Sequence, residues 1–293
     1  MTVVERRTLV LPTEGRVPIL TTGTDEWIPK VAEALVERGE TALLQCGSGP
    51  YILAGGVFVG RTGPEIMQLI NQQKKRPAGQ LVAIGVPREE MSLWVEKPYQ
   101  DTVHRIATAL EGETFGIIAP ASKKIPPWLT RRDPWHNINE KLLIWGDKSD
   151  TGPTARLYRY LRENLGLQPG EFFLICTSAN AHGMGTNVHF AKAYQQLGNE
   201  EGLAYAVMDV AEETYQSGSP PIISALPIVL GKTELLVFNT RSGLQGHRAK
   251  VPELRARSKL GLLFYSMEAL ARSYLGLPLE RAIHRRQPHK ISP

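Results

Sequence analysis

Phe172-Phe173-Leu174-Ile175-Cys176-Thr177-Ser178-Ala179-Asn180 is the clearest fold signal in this chain. Its apolar run is too short for a typical helix and suits a strand buried on both faces. The run stops at two hydroxyls, a small residue and an amide, which is turn chemistry. A helical pattern follows over residues 187–197. Strand, polar turn and helix in that order form the unit of an α/β sheet, and open α/β sheets bind ligands in the crevice at their strand ends. Small hydroxyl and amide side chains there can hold a ligand without crowding it, with backbone N–H groups assisting. The plainer alternative is an ordinary turn with a helix cap.

The same alternation runs through most of the chain. Short runs rich in Val, Ile, Leu and Phe predict strands at 41–46, 52–59, 80–86, 115–119, 141–145, 204–210, 222–223 with 227–230, and 234–238. Between them, residues 26–38, 62–71, 101–110 and 154–165 carry helical periodicity; Ile28, Val31, Ala32, Leu35 and Val36 are one example. Pro153 and Gly166 form a sensible start and stop pair for the fourth helix. Residues 87–100 and 123–139 lack periodicity and read as connections. The expected fold class is α/β: one twisted, open, mixed sheet of seven to nine strands with flanking helices. Leu260, Leu263, Phe264, Met267, Leu270 and Ala271 predict a further helix over 252–275. The domain edge is placed near Gly246, giving one sheet domain over 1–246 and a basic helical extension and tail over 247–293.

Composition narrows the setting. With 42% hydrophobic and 22% charged residues, the chain can bury a core without covalent staples. Its two cysteines, Cys46 and Cys176, each end an apolar run and read as buried thiols in a reducing cytoplasm. No apolar run approaches the roughly 18 residues that span a bilayer. Residues 1–12 have no apolar core of a signal peptide. The net charge of +5 is uneven: from Arg241 to Pro293, eleven Lys/Arg stand against three Asp/Glu, a balance of +8. Such a segment can meet RNA or another polyanion, or it can be a solvated helix face or a subunit contact. The seven histidines are scattered without metal-ligand spacing, and no Walker loop or Ser-His-Asp signature is present.

A second polar element precedes the strand at 80–86: Gln72-Gln73-Lys74-Lys75-Arg76-Pro77. Lys offers a compact charge and Arg a planar fork of donors, both suited to phosphate oxygens. Pro77 disfavours the helical region for Arg76, so the helix is expected to end there. Lys74 and Arg76 are two apart and would point the same way in an extended segment. Cations at a helix C-terminus also complement its dipole with no ligand at all.

Taken together, a K-x-R-P element and a later strand ending in T-S-A-N resemble the YrdC-like family, whose best-known members are threonylcarbamoyl-AMP synthases. Gly116-Ile117-Ile118-Ala119-Pro120-Ala121 with Ile125-Pro126 resembles that family's strand ending in L-P-A with a nearby V-P. Phe238-Asn239-Thr240-Arg241-Ser242-Gly243 resembles its final strand with R-x-G. The resemblance covers roughly 40–246. It implies a twisted open sheet with a positively charged groove, and a reaction in which ATP, bicarbonate and L-threonine give threonylcarbamoyl-AMP and pyrophosphate, with magnesium accompanying ATP. That product serves tRNA modification in the family. Carried over by motif, the resemblance implies that Lys74, Arg76, Ser178, Asn180 and Arg241 bind the nucleotide.

The chain departs from the family on the substrate side. Where members read P-T-x-T-x-Y-G-L, this sequence reads Gln45-Cys46-Gly47-Ser48-Gly49-Pro50-Tyr51-Ile52-Leu53, with Ser48 and Tyr51 as substrate-binding candidates. Gly116 stands where a threonine is usual. Ser219-Pro220-Pro221-Ile222-Ile223-Ser224 replaces S-T-V-V-D, and Trp145-Gly146-Asp147-Lys148 replaces R-x-P. The expectation is a carbamoyl-adenylate-forming enzyme with an altered amine site. The alternative is a non-catalytic nucleotide- or RNA-binding module, and the C-terminal helix offers a route to a homo-oligomer.

Overall fold

The computed structural model describes residues 17–46, 50–109, 115–133, 138–145, 152–182, 184, 187, 189–210, 222–230 and 233–239. Eleven strands form one mixed sheet: β1 (Ile19–Thr21), β2 (Thr41–Gln45), β3 (Tyr51–Phe58), β4 (Ala83–Gly85), β5 (Phe115–Pro120), β6 (Arg131–Asp133), β7 (Ile138–Trp145), β8 (Phe172–Ser178), β9 (Leu203–Met208), β10 (Ile222–Leu230) and β11 (Thr233–Asn239). Their order is β1-β9-β2-β3-β8-β4-β7-β5-β10-β11, with β6 paired to β7. The α/β mixed-sheet expectation holds. Two strands were not anticipated, β1 and β6; β1 has only three residues, and Arg131-Arg132-Asp133 has no apolar residue to announce it.

Among the described residues five helices flank the sheet: α1 (Trp27–Val36), α2 (Glu65–Gln73), α3 (Gln100–Ala109), α4 (Pro153–Glu163) and α5 (Phe190–Leu197). Every residue of β2 is buried, as are all but the last of β3, which explains their apolar character on both faces. Two adjacent glycines set how closely helices approach β3. A Cβ on Gly55 would lie 2.7 Å from Ile66 of α2, and one on Gly56 would lie 2.4 Å from the carbonyl oxygen of Leu35 in α1. Successive strand residues face opposite ways, so α2 and α1 cover opposite faces. Helix α4 packs beside α1, and Phe190 at the start of α5 brings its ring within 5.7 Å of the Tyr51 ring.

Strands β1, β9, β2 and β8 run in one direction, and β3 and β4 run against them. The carboxyl ends of β1, β9, β2 and β8 therefore share an edge with the start of β3 and the approach to β4. Ser178, Tyr51 and the segment from Lys74 to Arg76 all meet at this edge. The stretch 87–100, expected as a plain connection, contains two 3-10 turns, Arg88–Trp94 and Lys97–Tyr99, and buries Met91 and Trp94. Ser48, Lys148, Arg241, the boundary near Gly246 and the expected helix at 252–275 lie outside the described residues. No helix among the described residues is long and apolar enough to cross a membrane.

Candidate functional site

The basic element is built by the end of α2. The helix stops at Gln73, earlier than Pro77 alone implies, and Lys74 caps it. Lys75 then adopts a left-handed conformation with φ of 52°. Its N–H bonds to Gln72 O at 2.8 Å and the Arg76 N–H to Asn71 O at 3.0 Å, the paired bonds of a Schellman C-cap. The expectation of an extended segment is therefore corrected: Lys74 and Arg76 converge because the chain reverses tightly between them. Asn71 secures the reversal, its side-chain amide donating to Ala78 O at 2.5 Å and Gln80 O at 3.0 Å. Those bonds shape the turn after Pro77 and leave β4 shorter than the run at 80–86 indicated.

Lys74 is buried, and its ammonium donates to the carbonyl of Ser178, to Asn180 Oδ1 at 3.2 Å and, weakly, to Ser178 Oγ at 3.4 Å. The Arg76 Nε donates to Asn71 Oδ1, its Nη1 donates to Thr177 Oγ1 at 3.2 Å, and its Nη2 is buried with no partner. Among the described residues no carboxylate pairs with either cation. Burial, then the neighbouring Arg76 charge, pushes Lys74 down to about 7 from an ordinary 10.5. Burial lowers Arg76 to about 10, which leaves it charged at neutral pH. An unpaired buried charge is costly, by several kcal/mol per ion. The pair therefore makes a cationic recess with a spare, correctly forked donor.

The polar turn holds this recess in shape. Asn180 spends its amide internally, with Nδ2 donating to Ala181 O at 3.1 Å and Met184 O at 2.5 Å. It orients Lys74 and has no spare N–H for a ligand. Asn187 braces the same turn by donating to Ala179 O at 2.6 Å and Gln196 Oε1 at 3.2 Å, while Ala181 N donates to that Gln196 oxygen at 2.8 Å. Tyr51 ties the turn to β3: its carbonyl accepts from Ala179 N at 2.8 Å. Its hydroxyl accepts from Asp209 N at 3.1 Å. Asp209 accepts from Thr22 Oγ1 at 2.6 Å, and Val210 N donates to Thr22 Oγ1 at 3.1 Å. Asn71 and Asn187 were not singled out from sequence; Thr177 was read as part of the polar turn, but its contact with Arg76 was not.

No protein-family model and no curated protein sequence matches the chain. Solved structures do. A double variant of Sua5 from P. abyssi superposes with a TM-score of 0.55 at 12% identity, covering 75% of this chain and 59% of that one. P. abyssi Sua5 complexed with L-threonine gives 0.51 at 13% identity, covering 76% and 57%. E. coli YciO gives 0.52 at 15% identity over 76% of this chain and 95% of its own. The chain is thus a divergent protein of the YrdC-like α/β fold. It spans less than two thirds of the Sua5 chains and nearly the whole of YciO.

Proposed function

We propose that this chain binds ATP through Lys74 and Arg76 and uses it to form a carbamoyl-adenylate from bicarbonate and an amine. One observation carries the reading: buried Lys74 and half-buried Arg76 lie side by side with no carboxylate paired to either among the described residues, and Arg76 keeps one buried donor unpartnered. A phosphate chain supplies the missing negative charge and the missing acceptor in one group. Ser178 and Asn180 hold Lys74 toward it.

In this reading the amine adds to bicarbonate, water leaves, and the resulting carbamate oxygen attacks the α-phosphorus of ATP. The bond to the bridging oxygen breaks and pyrophosphate departs. Lys74 and Arg76 neutralise the charge that builds on the departing phosphates. Among the described residues no group of three His, Cys, Asp or Glu gathers at metal-binding distance, so magnesium would enter on the phosphates. Arg241 is a further phosphate candidate, and Ser48 and Tyr51 belong to the acceptor side. An amino acid is the first acceptor to try, since one structure of this fold holds L-threonine; tRNA would be the downstream partner.

The test is ATP-dependent pyrophosphate release by the full chain with bicarbonate and a panel of amines. Stimulation by at least one amine is expected, together with its loss in Arg76→Ala. If ATP binds and no amine stimulates release, adenylation fails and a binding module for nucleotide or RNA remains. If ATP does not bind, the phosphate assignment falls as well.

A further inference from the structure

We infer that Gln45 selects the second substrate, and that it takes a neutral amide-like group presenting a hydrogen-bond acceptor and an N–H donor side by side, as a primary carboxamide does. The inference deepens the proposed function and rests on it for the reaction, though not for the binding itself.

Gln45 is the last residue of β2 and is fully buried. Its main-chain carbonyl is satisfied, accepting from Thr154 Oγ1 at 2.9 Å. Its side chain is not: both Nε2 and Oε1 are buried without a partner. The residues before it, Ala42, Leu43 and Leu44, are apolar core, so packing alone would favour leucine here. Buried amides are retained where they bond to something, and an amide with neither atom bonded asks for a complement.

The position fits an acceptor site. Gln45 pairs in register with Tyr51, which places both side chains on one face of the sheet. Tyr51 in turn bonds Ala179, inside the turn that carries Ser178 and Asn180. Two strand spacings, about 10 Å, separate β2 from β8, a span suited to a small acceptor joined to a phosphate-bearing group.

The surrounding charges favour a neutral ligand. Asp209, bonded to Thr22, places an anion on the Tyr51 side and opposes a carboxylate. Arg156, a cation reaching Thr22, is engaged: it donates to Thr22 O at 3.0 Å and Thr24 O at 3.2 Å and pairs with Asp25. An ammonium would satisfy Oε1 and leave Nε2 orphaned; a carboxylate would do the reverse. An amide satisfies both atoms together.

The test uses the full chain labelled at its glutamine side-chain amides, with the Gln45 signals identified by their loss in Gln45→Leu or, should that variant fold poorly, in the isosteric Gln45→Met. L-asparagine and L-glutamine are the probes; L-threonine and L-leucine are the controls. Either amide is expected to move the Gln45 signals and raise the Tm of the wild type but not of the variant. ATP affinity of the variant should stay within about twofold, while KM for an amide-bearing acceptor rises about tenfold or more. Unmoved signals with both amides, or equal movement with L-threonine, would overturn the assignment. Failure of the wild type to bind ATP would instead remove the proposed function and leave the amide result to stand alone.

Discussion

The ammonium of Lys74 sits 3.2 Å from the side-chain oxygen of Asn180, joining two elements 106 residues apart in sequence. Each is a modest signal alone, since cations commonly close helices and amides commonly populate turns. Their contact, with Arg76 on Thr177 beside it, makes them a single recess.

Replacing Lys74 with methionine should separate binding from stability. The charge is buried without a carboxylate, so an unbranched apolar side chain should leave the fold as stable or more stable. Nucleotide affinity should fall about 10- to 100-fold, as expected for loss of a charge-assisted bond of about 1.5–3 kcal/mol. Urea denaturation and titration with ATP measure the two effects. A variant that loses stability and keeps its affinity would contradict the assignment.

Stability should depend on pH through Lys74 in a defined direction. The folded value is about 7 and the ordinary value 10.5. Below 7 both states carry the proton and the burial penalty stands in full. Between about 7 and 10.5 the unfolded chain binds more protons than the folded one, so stability rises with pH. Relative to Lys74→Gln, the wild type should therefore gain across that window. Nucleotide binding should run the opposite way, weakening above 7 and taking up a proton, which calorimetry in buffers of differing ionisation enthalpy will detect.

The recess was only partly legible in the sequence. Lys74, Arg76, Ser178 and Asn180 were found, yet the geometry uniting Lys74 and Arg76 was misjudged. Pro77 drew attention to itself as a helix stop, whereas the helix ends through a left-handed Lys75, a conformation unusual for a residue with a Cβ. Gln45 opens the stretch compared with the family's first motif but was not named as a candidate, because it ends an apolar run and its significance rests on what it fails to touch. Strand patterning gave the sheet; the edge strand β1, with three half-buried residues, carries too little periodicity to register.

Lys75→Gly should stabilise the protein by about 1 kcal/mol, because glycine enters the left-handed region without the Cβ clash. The exposed pair between Lys75 and Glu200, at 3.3 Å, is lost with little effect. Thermal melting reads the gain. A fall in Tm would show that the Lys75 side chain matters more than its backbone strain.

Tyr158→Phe tests the opposite face. The buried Tyr158 hydroxyl donates to Gly85 O and accepts from Leu174 N at 2.8 Å, bridging β4 and β8. Its removal strands a buried carbonyl and N–H, and should cost about 1–3 kcal/mol in urea denaturation. ATP affinity should be unchanged, which distinguishes this scaffold contact from the Lys74 recess.

The paired glycines of β3 tie pocket width to backbone spacing. Nothing but hydrogen separates Gly55 from Ile66, so α2 rests almost directly on the strand, and the cations at its far end are carried to the sheet edge at a fixed height. A single added methyl at Gly55 would act on Lys74 from a distance, as a shim under one end of a beam lifts the other. The affinity proposed for this recess is therefore open to tuning from positions outside it.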